Sequence, residues 1–153
     1  MLALVFAAAL TASAPPPTDM TLTILSEVCL PYVAGEPRDA ASLGPLGFVA
    51  TAADEDTLNF QSEDQAYILR LTTTGSAAED NLNRVCVIQA RRGGFDGVKR
   101  SIQPLLREQG FSPEADLPAG RAIWTRDGVT VSLRQNPGAA AIVRVTYSTL
   151  DAG

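Results

Sequence analysis

The two cysteines of this chain constrain its fold more than any other feature. Cys29 lies in the apolar run of residues 24–33, and Cys86 lies in the apolar stretch of residues 85–88. Two cysteines in such stretches usually pair in an oxidising compartment. We therefore expect a Cys29–Cys86 disulfide that joins an N-terminal helix to a strand. In a reducing compartment the alternative is a pair of buried free thiols.

The N-terminal segment indicates the compartment. Residues 1–14 are uncharged and apolar and end in a small-residue Ala-Ser-Ala sequence, which is typical of a secretory signal peptide. The run is shorter than the roughly 20 apolar residues that cross a membrane. We expect a signal peptide at 1–14, a short proline-rich linker at 15–20, and no stable membrane span once the signal is removed. The predicted location is periplasmic or secreted, and a buried N-terminal helix is the alternative.

The remaining chain, residues 21–150, has the length of one domain. Its net charge of -5 and its pI near 4.6 argue against general binding to nucleic acids or to anionic membranes. The expected partner is an unknown protein or small ligand of the cell envelope.

Three helices are predicted from apolar residues at helical spacing. The first covers residues 24–33, with Thr18 or Asp19 as N-cap, and Pro31 is expected to bend or end its last turn. A second, shorter helix runs from Asp39 to about residue 46. A third runs from about Asp96 to residue 110.

Six strands are predicted from alternating apolar and polar residues. They cover residues 57–60, 67–71, 84–90, 122–126, 129–133 and 141–148. The element order predicts an α+β fold, with one antiparallel sheet of about six strands in two αβββ-like halves and with helices packed on one face. Trp124, Phe60 and Tyr67 share the phase of apolar neighbours, and we expect them in the core.

The chain contains no histidine, which excludes Ser/His/Asp triads, Cys/His dyads and histidine-ligated metals. The carboxylates of the densest acidic cluster are not spaced like those of a calcium-binding loop, and they fall where solvated turns are expected. We therefore predict no catalytic residue, no metal site and no cofactor. The cluster consists of Asp54, Glu55, Asp56, Glu63 and Asp64.

The best local candidate for a ligand site is the turn formed by Arg91, Arg92, Gly93 and Gly94. A strand end, a flexible loop and a helix start meet there, so free backbone N–H groups and the helix dipole could bind an anion. The pattern matches neither the dinucleotide fingerprint nor the Walker loop. Asp96, as the helix N-cap, would occupy the same donors. The alternative is a glycine-rich turn with solvated arginines.

The overall layout resembles that of small exported proteobacterial single-domain proteins of unknown function with one disulfide. The resemblance rests on a helix with one cysteine, the Gly47-Phe48 stretch, a strand with the second cysteine, a further helix and a terminal hairpin that carries Trp124. It implies an envelope location and no particular activity.

The function expected from these observations is a non-catalytic binding or accessory module of the cell envelope. One alternative is a carboxylate-dependent hydrolase, which needs two facing carboxyl groups in a cleft, one of them with a raised pKa. A second alternative is an inhibitor or envelope assembly factor, which needs an exposed apolar patch of several hundred Å².

Overall fold

The computed structural model describes residues 19–151. The predicted signal peptide at 1–14 and most of the predicted linker lie outside the described residues. The fold is α+β, with one antiparallel sheet of eight strands and a few helices.

The N-terminal helix begins after Asp19, whose carboxylate accepts a hydrogen bond from the backbone N–H of Thr21 at 3.0 Å. Asp19 is one of the two N-cap residues predicted from the sequence. The helix continues through a wider, π-helical turn, which inserts an extra residue into the backbone ladder. Its segments are α1 (Met20–Ile24), the π-helical turn (Leu25–Cys29) and α2 (Leu30–Val33).

Pro31 does not end this helix, because it lies in the first turn of α2, where proline is tolerated, and the carbonyl that it leaves without a backbone partner has another donor. In an α-helix the N–H of residue 31 would donate to the carbonyl of Glu27. Here the Nη2 of Arg38 donates to that carbonyl oxygen at 3.1 Å. The helix therefore extends to Val33.

Two further helices lie near their predicted positions. Asp39 caps the first of them and accepts a hydrogen bond from the N–H of Ser42 at 2.8 Å. The other begins one residue before Asp96, with Gly94 as its N-cap, so Asp96 is not the N-cap. They are α3 (Ala40–Leu43), which continues as a 3-10 turn (Gly44–Leu46), and α4 (Phe95–Glu108).

The sheet has the strand order β1-β2-β3-β4-β8-β7-β6-β5, and every neighbouring pair is antiparallel. Each half of the chain contributes helical segments followed by four strands, and the last strands of the two halves, β4 and β8, pair at the centre. The strands are β1 (Phe48–Ala53), β2 (Thr57–Ser62), β3 (Tyr67–Thr74), β4 (Asn83–Ala90), β5 (Ser112–Pro113), β6 (Arg121–Arg126), β7 (Val129–Arg134) and β8 (Ala141–Ser148).

The expected count of six strands, and with it the αβββ form of each half, was too low. The two missed strands form the sheet edges. In β1, with the sequence Phe-Val-Ala-Thr-Ala-Ala, only Phe48 is buried, so the strand lacks an alternating pattern and its alanines favour strands weakly. β5 has two residues, one of them Pro113, which a sheet tolerates at an edge.

The β6–β7 connection is the tight hairpin turn that the sequence predicts. Asp127 and Gly128 have φ angles of 46° and 75°. A type I′ turn needs positive φ at both central residues, and Asp-Gly adopts this conformation readily. The turn sets the register in which Arg126 faces Val129.

The helices pack on one face of the sheet, and the disulfide joins the two layers. Cys29 and Cys86 are fully buried and bonded, with their Cα atoms 5.3 Å apart. The predicted pairing is thus confirmed, and it holds the N-terminal helix against central strand β4. The inward strand residues around it are buried, among them Leu69, Leu71, Ile88, Val131, Leu133, Val143 and Val145.

Reduction of this disulfide is expected to destabilise the protein strongly. The bond closes a loop of 57 residues, which in the chain-entropy model is worth about 4 kcal/mol. We expect the melting temperature to fall by about 10 °C or more in reductant, as measured by circular dichroism.

The matched control is the Cys29→Ala/Cys86→Ala double variant, whose melting temperature should not respond to reductant. Free thiols that react with an alkylating agent in the folded, oxidised protein would contradict the assignment.

Candidate functional site

The sheet face opposite the helices carries the most distinctive cluster of side chains in the described chain. It forms an open concavity of about 420 Å³ across strands β3, β4, β8 and β7. We call this surface the arginine face. Its residues are Ile68, Arg70, Val87, Gln89, Ser132, Arg134, Ile142 and Arg144.

Strand pairing places one arginine on each side of a valine. Arg70 is the cross-strand neighbour of Val87 on one side, and Arg144 is its neighbour on the other. Because neighbouring strands lie about 4.8 Å apart, the two arginine Cα atoms are about 10 Å apart. Both side chains are exposed, so both guanidinium groups are accessible to a ligand above Val87.

A third arginine continues the positive charge toward β6. Arg134 lies two residues along β7 from Ser132, the cross-strand neighbour of Arg144, and so shares its face. It also faces Arg121 directly across the β6–β7 pair. Like charges directly opposite each other destabilise a sheet. An anion bound near this pair would offset the repulsion.

The strands carry no negative charge to balance these arginines. None of the 17 Asp and Glu residues of the chain lies in a strand. The ion pairs found within residues 19–151 are Arg38 with Glu36 and Arg92 with Asp64, neither of which involves the arginine face. Arg70 has only a neutral partner, because its Nε donates to Oδ1 of Asn59 at 3.0 Å.

Aliphatic side chains separate the arginines, and no aromatic side chain lines this concavity. Ile68, Val87 and Ile142 are partly exposed there. Phe60 and Trp124 are buried with the inward core, as the sequence predicts. The face thus offers cations, aliphatic groups and the hydrogen-bonding groups of Gln89 and Ser132.

The predicted turn of residues 91–94 is assembled where expected, between β4 and α4, but its arginines have partners. Nη1 of Arg92 lies 3.3 Å from Oδ2 of Asp64. The backbone N–H of Arg91 donates to the carbonyl of Ala66 at 2.9 Å. An anion would have to compete with Asp64 for Arg92.

The turn also has fewer free backbone N–H donors than the sequence predicts. Gly93 has a φ angle of 87°, and Gly94 is the N-cap of α4. The next N–H group, that of Phe95, donates to Oε1 of Gln135 at 2.6 Å. Asp96 adds a negative charge to the first turn. Anion binding at this turn stays a prediction.

Two carboxyl groups, those of Asp64 and Asp39, have pKa values below the ordinary one. The pKa of Asp64 is lowered, chiefly because the hydroxyl of Ser62 donates to its carboxylate at 2.7 Å and the N–H of Ala66 donates at 3.0 Å. The pKa of Asp39 is lowered by hydrogen bonds from Ser42. Both directions are opposite to the raised pKa that the hydrolase alternative needs.

Other site types find no support in the part of the chain that the structure describes. Within residues 19–151, no three His, Cys, Asp or Glu residues cluster as metal ligands would. No helix there has the length and apolarity needed to span a membrane. Val49 and Leu150 are the large apolar side chains that are strongly exposed in this range.

Comparisons with family models, with curated proteins and with solved structures find no match for the chain.

Local sequence reasoning missed the arginine face because its residues come from distant segments. Arg70, Arg134 and Arg144 occupy polar positions of strands that the sequence does predict. Only the pairing of β4 with β8 brings the first of them near the others. The available signal was that the strands carry several arginines and no carboxylate.

The hydrogen bonds to Asp64 predict how its carboxyl group titrates. Its pKa is lower in the folded than in the unfolded chain, so these contacts stabilise the fold above the unfolded value of about 3.9. That stabilisation is lost as the pH falls through the lower, folded pKa. We expect carbon-detected NMR to give a titration midpoint for Asp64 below its ordinary value.

Ser62→Ala provides the control, because it removes the first donor. The midpoint of Asp64 should then move upward, toward the ordinary value. Equal midpoints in the two proteins would show that this hydrogen bond does not lower the pKa.

Proposed function

We propose that this chain is an exported, non-catalytic binding module of the cell envelope and that the arginine face is its ligand-binding surface. One observation carries the proposal. Arg70, Arg134 and Arg144 share the uncovered face of a sheet whose strands contain no carboxylate, in a chain of net charge -5.

The energetics of the sheet support an anionic ligand. Neutral polar residues would be enough to keep an uncovered face soluble, and β2 uses them there, because the residues that alternate with its buried ones are Thr57, Asn59 and Gln61. Arginines on neighbouring strands repel one another instead, most directly at the Arg121–Arg134 pair. An anion that binds only the folded protein relieves this repulsion and stabilises the fold.

The chemistry of the face supports binding without catalysis. Arginine stays protonated and has no acceptor, so it cannot act as a general base. Ser132 is the one hydroxyl among the residues that line the concavity, and the arginines around it cannot remove its proton. The face can therefore hold and orient an anion, but it has no group that would transfer a proton.

The export part of the proposal rests on the disulfide and on the apolar N-terminal segment. A buried disulfide is typical of oxidising compartments. The segment of residues 1–14 has the composition of a signal peptide.

Export is tested by mass spectrometry of the protein purified from its native cells. We expect a mature N-terminus between Ser13 and Thr18 and a mass that contains the disulfide. An intact Met1 on a protein recovered from the cytoplasm would contradict the export proposal.

Binding at the arginine face is tested by NMR titration with citrate, a small trianion, at low ionic strength. We expect saturable shifts at the backbone amides of Val87, Gln89 and Ser132. Arg144→Gln should weaken binding roughly three- to tenfold, because the lost contact is charged but exposed. Raising the salt from about 20 to about 200 mM should weaken it further.

The matched control is Arg107→Gln, which removes the same charge from an exposed position of α4 on the covered side of the sheet. It should leave the affinity unchanged. Saturable shifts confined to Gly93 and Gly94 would place the site at the strand-to-helix turn instead, and the absence of any saturable shift would contradict the proposal.

A further inference from the structure

We infer that the ligand of the arginine face is an acidic segment of a partner protein in which aliphatic side chains lie between the carboxylates. This inference rests on the proposed function and narrows its ligand to one class. Three features of the face point to it: the spacing of the arginines, the aliphatic side chains between them and the lack of aromatic side chains.

The arginines extend too far across the sheet for one small anion. Arg70 lies on β3 and Arg134 on β7, with β4 and β8 between them. Three strand spacings separate them by about 14 Å across the sheet. A ligand that contacts both of these arginines and Arg144 must therefore carry several negative charges along an extended length.

The side chains between the arginines call for apolar groups on the ligand. Val87 lies between Arg70 and Arg144, and Gln89 lies between Ile68 and Ile142. A ligand of carboxylates alone would leave these three aliphatic side chains in water. A peptide with leucine, isoleucine or valine between its acidic residues would bury them.

The polar groups of the face also suit a peptide. Gln89 carries both a donor and an acceptor, and Ser132 carries a hydroxyl that can do either. Both are partly exposed and line the concavity. They can pair with the N–H and C=O groups of a peptide backbone laid across the face.

Nucleic acids fit the face poorly. Single strands bind through aromatic side chains on which their bases stack, and the residues that line this concavity include none. The N-terminal residues 1–18 cannot supply the charge either, since they contain no Asp or Glu.

The decisive test compares two peptides of equal charge by isothermal titration calorimetry. One alternates glutamate with leucine, and the other alternates glutamate with serine. We expect the glutamate–leucine peptide to bind about tenfold more tightly, because leucine buries apolar surface that serine does not. Ile142→Ser should remove this preference and leave binding of the glutamate–serine peptide unchanged, with Ile68→Ser as a second variant.

Two further variants distinguish a loss of positive charge on the arginine face from a general effect on the protein. Arg144→Gln should weaken binding of both peptides by a similar factor, roughly three- to tenfold, while Arg107→Gln on the covered side should weaken neither. The nitrogen–proton NMR spectrum of each variant shows whether it keeps the native fold.

Several outcomes would overturn the inference without touching the proposed function. Equal affinity for the two peptides would remove the aliphatic requirement, and binding of citrate but of neither peptide would point to a small anion. Tighter binding of an oligouronate would identify an acidic polysaccharide as the ligand. Concentration-dependent dimers that disappear in an Asp54→Asn/Glu55→Asn/Asp56→Asn variant would identify a second copy of this chain. If citrate also fails to bind, the proposed function falls with the inference.

Discussion

The bond between Cys29 and Cys86 joins the N-terminal helix to the covered side of the sheet and, with the core around it, fixes which face is left open. Cys86 lies on central strand β4 and points toward the N-terminal helix. Because side chains alternate along a strand, its neighbour Val87 must point to the opposite face. The register of β4 with β3 and β8 then places Arg70 and Arg144 beside that valine. The disulfide and the core around it thus mark one face of the sheet as buried, and strand alternation places the arginines on the other.

The covered and uncovered faces of the sheet differ in charge as well as in polarity. Carboxylates are confined to helices, turns and loops, where they cap helices or pair with nearby hydroxyl and N–H groups, as Asp39 and Asp64 do. Six of the eleven arginines, by contrast, lie in strands. The chain is acidic as a whole, yet its one uncovered sheet face carries positive charge. A field of this kind attracts an anion locally while the net negative charge disfavours indiscriminate contact with polyanions. This distribution of charge supports the proposed binding of a partner with spaced negative charges.

Much of the fold could be predicted from local patterns, and the candidate site could not. The alternation at 129–133 and 141–148 predicts the neighbouring strands β7 and β8, and Asp127-Gly128 predicts the tight turn between β6 and β7. β1 escaped because only Phe48 is buried on that edge strand. The turn at 91–94 is visible as a local motif, but its partners Asp64 and Gln135 come from remote segments. The arginine face depends on the pairing of β4 with β8, which no local pattern encodes.

The central claim is that an acidic chain presents a positive sheet face. The most direct measurement of that claim is the relaxation of backbone amide protons by small nitroxide probes of opposite charge, because each probe concentrates where the surface potential attracts it. We expect the anionic probe to relax the amides of Val87, Gln89 and Ser132 more strongly than the cationic probe does, and we expect the reverse at the amides of the acidic turn around Glu55. Equal relaxation by the two probes at the arginine face, or stronger relaxation by the cationic one, would contradict it.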